Sequence, residues 1–76
     1  MKIEVLGTGC AKCAKLYEAA REAVAQAGIS ADIVKVEDLS VIMKYKVMVT
    51  PALVVDGQVK VAGRVPSASE IVKFLT

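Results

Sequence analysis

The chain has no histidine, no tryptophan, one phenylalanine and only two cysteines among its 76 residues. A structural zinc site usually needs four cysteine or histidine ligands, so one copy of this chain cannot build one. Two cysteines are also too few for a secreted disulfide framework. The net charge of +2 is too small for a nucleic-acid footprint; no Lys/Arg cluster or aromatic platform adds to it. Long apolar runs are missing as well. The longest is Ala52-Leu53-Val54-Val55, whereas a membrane span needs about 20 residues. The N-terminal residues carry Lys2 and Glu4 and lack the apolar stretch of a secretory signal. A cytoplasmic protein is expected, one that binds neither membrane nor nucleic acid.

What is present is aliphatic. With 55% of residues hydrophobic, the chain can form the dense core that a domain this small requires, and one domain over 1–76 is expected. Met1 to Leu6 alternates apolar and charged residues, as a short strand does. Gly7-Thr8-Gly9 breaks it. From Ala11 to Ala27, Cys13, Leu16, Ala20, Val24 and Ala27 fall at helical steps, five alanines between Ala14 and Ala25 favour the helix, and Gly28 stands at the C-terminal cap position. Ala31 to Val36 reads as a second strand. Asp38 can cap a short helix to about Tyr45, with Leu39, Ile42 and Met43 inward. Ala52 to Val55 and Gln58 to Ala62 are strands joined by the Asp56-Gly57 turn. Ser67 and Glu70 have capping-box spacing for a last helix ending near Leu75, with Ile71, Val72 and Leu75 packed. The expected fold is α/β in the order βαβαββα, a mixed four-stranded sheet with three helices.

The chemistry concentrates at Cys10-Ala11-Lys12-Cys13. Cys10 precedes a helix and Cys13 lies in its first turn. The helix N-terminus favours negative charge. Such sites lower a thiol pKa from about 8.5 to between about 3.5 and 7.5. Lys12 adds positive potential. The spacing allows one thiolate to attack a partner's disulfide and the other to resolve the mixed disulfide. It also allows two-coordinate binding of a soft ion such as Cu(I). The motif alone leaves both readings open.

Three stretches carry a resemblance: Gly9-Cys10-Ala11-Lys12-Cys13, Lys44 through Pro51, and Val55-Asp56-Gly57 through Gly63. With the order of elements, the chain resembles the thioredoxin and glutaredoxin superfamily, most closely its small redox-active disulfide proteins. The resemblance implies a thiol–disulfide oxidoreductase with Cys10 as the exposed nucleophile and Cys13 as the buried resolving thiol. It implies a cis Thr50–Pro51 bond facing the cysteines. Pro51 would then shape a substrate groove, and the Thr50 backbone would pair with a bound peptide. It further implies protein disulfides as substrates, a thioredoxin-reductase-like electron donor, a monomer, and no cofactor or metal.

The chain departs from that family in three places. Ala11-Lys12 fills the space between the cysteines, where thioredoxins have Gly-Pro and glutaredoxins Pro-Tyr, so neither potential carries over. Gly9 replaces the aromatic residue that often precedes the first cysteine. Gly63-Arg64-Val65-Pro66-Ser67 replaces the glutathione pattern of many glutaredoxins. Arg64 could bind a carboxylate, although a solvated rim arginine is the plainer reading. The competing resemblance is the heavy-metal-associated chaperone domain. That domain runs strand, helix, strand, strand, helix, strand, and has Met where Thr8 stands. Tyr17 and Tyr45 read as packing residues with hydroxyls reaching water, and Met43 and Met48 as core or groove lining.

Overall fold

The computed structural model describes residues 1–9 and 11–76. Its elements are β1 (Lys2–Leu6), α1 (Ala11–Ala27), β2 (Asp32–Val36), α2 (Leu39–Lys44), β3 (Ala52–Val55), β4 (Gln58–Ala62) and α3 (Ala68–Leu75). This is the expected order, and it differs from that of the metal-chaperone domain. The strands lie in the sheet order β2-β1-β3-β4. β1 pairs with β2 in parallel across the α1 crossover, and β3 is antiparallel to both β1 and β4.

Local chemistry explains the joints. α1 closes where the Gly28 amide donates to Val24 O at 3.1 Å and to Ala25 O at 3.2 Å. Asp56 and Gly57 make the β3–β4 turn with φ of 48° and 83°. The Asp56 carboxylate also accepts from the Lys2 amide at 2.9 Å, tying the turn to β1. α2 begins at Asp38, whose Oδ1 accepts from the Ser40 hydroxyl at 2.7 Å and its amide at 2.9 Å. These bonds hold the Asp38 carboxyl below the usual carboxylate range. α3 begins at Ser67, whose Oγ accepts from the Glu70 amide at 3.2 Å, as the capping-box spacing predicts.

Two apolar clusters cover the two faces of the sheet. On one, Ile3, Val5, Leu53 and Val55 pack under Leu16, Ala20 and Ala23 of α1 and Ile71 and Leu75 of α3. On the other, Leu6, Ala52 and Val54 pack under Ile42 of α2. β1 therefore lies in the middle of the sheet with both faces covered. That is why Glu4, which alternation alone would turn to solvent, is only 7% exposed.

The inward set expected for α2 is corrected in part. Ile42 is buried, but Leu39 is 61% and Met43 66% exposed. Ile42 and the C-cap Tyr45 define the covered side of this short helix, and at about 100° per residue Leu39 lies about 120° and Met43 about 160° from Tyr45. Met48 is 93% exposed and is not core either. The turn after α2 is tight, with the Lys46 amide donating to Met43 O at 2.9 Å and Lys46 at φ 59°.

Candidate active site

The site is assembled where β1, α1 and the start of β3 meet. Cys13 is the third residue of α1, and its side chain is buried against the sheet. The first turn of α1 carries no acidic residue, so nothing there opposes a thiolate at the helix N-terminus. Cys13 is disulfide-bonded. Cys10 lies outside the described residues. Lys12 is exposed on the first turn.

Gly7, just beyond β1, is what lets Cys13 sit there. The Gly7 amide extends the β1–β2 ladder by donating to Val36 O at 3.0 Å. A Cβ built on Gly7 would overlap the Cys13 sulfur and lie 3.3 Å from Cys13 Cβ. It would also lie 4.0 Å from Pro51 Cα. Cys13 and Pro51 therefore both lie close to the same point just beyond β1. The Thr50–Pro51 bond is cis. Pro51 is fully buried, whereas Thr50, Val49 and Met48 before it are exposed. The Pro51 carbonyl accepts from the Gly63 amide at 2.8 Å, which joins the proline loop to the end of β4.

On the β2 side of the cysteine lies an open cavity of about 110 Å³ lined by residues that include Gly7, Gly9, Cys13, Lys35 and Glu37. Lys35 stands opposite Val5 in the ladder, on the α1 face of the sheet. Its ammonium lies 4.6 Å from the centroid of the Tyr17 ring, a cation–π contact. Tyr17 thus holds a neighbouring charge, a role its aromatic character did not single out. A Glu37 carboxylate oxygen comes within 3.4 Å of the Cβ position on Gly9. Gly9 itself has φ 86°, which an aromatic residue would adopt only under strain.

Behind the site, the Tyr45 hydroxyl donates to the buried Glu4 carboxylate at 2.7 Å. The expectation of a water-facing hydroxyl is thereby corrected. This bond, aided by burial and the carboxylate's charge, raises the Tyr45 pKa above that of an ordinary phenol. It links the end of α2, and so the loop carrying Thr50, to β1. Neither Gly7 nor Glu37 was legible as a site residue. Gly7 had a partial signal as the first glycine of the break before Cys10; Glu37 had none. Among the described residues, no group of three or more His, Cys, Asp or Glu is gathered to hold a metal ion.

Comparison with known proteins bears on this geometry. A family model described as a thioredoxin domain matches residues 1–76. A protein of Methanothermobacter thermautotrophicus named thioredoxin is 45% identical over 76 residues, covering 100% of this chain and 99% of that one. Another of that name, from Methanocaldococcus jannaschii, is 44% identical over 69 residues, covering 91% of this chain and 79% of that one.

Proposed function

The chain belongs to the thioredoxin family and is a thiol–disulfide oxidoreductase, and we propose that Cys10 and Cys13 are its reacting pair. Cys10 attacks one sulfur of a substrate disulfide, forming a mixed disulfide and releasing one substrate thiolate. Cys13 then attacks the Cys10 sulfur, releasing the second thiolate and leaving a Cys10–Cys13 disulfide. Two electrons pass to the substrate, and a donor must return them.

The observation that supports this most strongly is the position of Cys13. It is buried in the first turn of α1, with Gly7 and Pro51 beside it. A buried sulfur suits the resolving step, which is intramolecular. Cys10 directly precedes α1 in the sequence, and we assign it the attack on an external disulfide. Lys12 and the helix N-terminus favour the thiolate forms. Pro51 closes one side of the groove, and the exposed Thr50 offers its backbone to an extended substrate segment.

Its substrates are protein disulfides, and a reductase returns the electrons; we infer a donor of the thioredoxin-reductase kind and a monomeric protein of one domain. We place it in the cytoplasm, where a lone pair of cysteines is maintained as a dithiol. No helix among the described residues is long and apolar enough to cross a membrane. The test is reduction of a protein disulfide in the presence of dithiothreitol. The wild-type chain is expected to accelerate it, and Cys10→Ser and Cys13→Ser are each expected to abolish the acceleration. Undiminished activity in either variant would overturn the assignment.

A further inference from the structure

Arg64 directly follows Gly63, the residue whose amide donates to the Pro51 carbonyl at 2.8 Å. The Cβ position of Gly63 also lies 3.2 Å from the Val49 side chain. The arginine thus stands on the rim of the proline loop, one residue from the backbone that holds Pro51. Both ends of its guanidinium are taken. Nη1 donates to Glu70 Oε1 at 3.2 Å, and Nη2 to Glu70 Oε2. Glu70 lies in the first turn of α3, its amide capped by Ser67, so the carboxylate is presented from a fixed helix end.

We propose that Glu70 occupies Arg64 in place of an anionic substrate group, and that the pair is a charge filter against disulfides bearing a carboxylate near the sulfur. The inference rests on the dithiol reading above. A carboxylate arriving at the rim meets a guanidinium whose two-pronged face is already filled and whose charge is already balanced. It must displace Glu70 or use the arginine's remaining N–H donors beside a charge that is already balanced. Neutral and cationic disulfides face no such competition. Removing the charge of Glu70 would leave Arg64 open to the incoming anion. Because both groups are solvated, the effect is modest, about two- to fivefold, and it weakens as salt rises.

The experiment uses the full-length reduced chain and three small disulfides: anionic dithiodipropionate, neutral bis(hydroxyethyl) disulfide and cationic cystamine. In each turnover one substrate S–S bond breaks, the Cys10–Cys13 bond forms, and two substrate thiols leave. Dithiothreitol returns the two electrons and two hydrogens. Glu70→Gln keeps the side-chain length and a residue suited to the third position of a capped helix. It is expected to raise kcat/KM for the dicarboxylate about two- to fivefold relative to the neutral disulfide. Adding Arg64→Gln should remove that gain. An unchanged ratio, or a gain that survives loss of Arg64, would overturn the filter. Failure of the wild type to turn over the neutral disulfide would overturn the dithiol reading itself, and the filter with it.

Discussion

The sulfur of Cys13 occupies the space that a side chain on Gly7 would need. Gly7 directly follows β1 and Cys13 lies in α1, so their contact sets how close α1 can come to the end of β1. Even a methyl group at Gly7 must push the sulfur or the strand away. Gly7→Ala is therefore expected to lower stability by about 1–3 kcal/mol, the usual cost of overpacking. Displacing a reacting atom by even an ångström is also costly, so exchange with protein disulfides should slow by roughly tenfold to a hundredfold. Urea denaturation and a protein-disulfide reduction assay measure the two effects. A variant of wild-type stability and rate would show that the contact is not maintained in solution.

The two cysteines should differ in trapping. Cys13→Ser leaves a nucleophile without its resolving partner, so stable mixed disulfides with protein substrates should accumulate. Cys10→Ser should trap none, because the remaining sulfur is buried. Non-reducing electrophoresis after incubation with a protein disulfide distinguishes them. The opposite pattern would exchange the roles of the two residues.

Tyr45→Phe removes the hydroxyl that donates to Glu4. It leaves a buried carboxylate without that partner, at a cost of about 1–3 kcal/mol. The pH dependence has a definite sign. The folded state raises the Tyr45 pKa, so the bond's contribution is complete below the ordinary phenol range and is lost as pH rises through the raised value. The stability gap between wild type and Tyr45→Phe should be widest near neutral pH and narrow in alkali. A gap that grows above pH about 10 would contradict the arrangement.

Much of this molecule could be read from its residues in order. The α1 boundaries, the Asp56-Gly57 turn and the Ser67 cap are local signals, and each stands where its chemistry places it. What could not be read depends on strand order. Glu4 looks like the polar half of an alternating strand. Only β1's place between β2 and β3, under α2, makes it a buried acid. The same holds for Leu39 and Met43. Their helical spacing is compatible with burial, but the arc facing the sheet is chosen by Ile42 and Tyr45. The site divides similarly. Cys13 announces itself by spacing, whereas Gly7, Lys35 and Glu37 surround it only after β1, β2 and α1 have come together.

Ser67→Ala tests a structural feature separate from the chemistry. Losing the acceptor for the Glu70 amide should cost about 1 kcal/mol of stability. Reduction of a neutral disulfide should proceed at the wild-type rate. Thermal denaturation and the exchange assay read the two quantities, and a large loss of activity at full stability would give Ser67 a role that its capping bond does not explain.

The central claim is that Cys10 and Cys13 cycle between dithiol and disulfide. The most direct measurement is mass analysis of the purified chain after reaction with a protein disulfide and alkylation, alongside metal analysis of the same sample. The expected result is a chain lighter by two hydrogens that resists alkylation, and that dithiothreitol returns to a doubly alkylatable form. A chain that forms no internal disulfide and holds one equivalent of copper or zinc against chelators would contradict it.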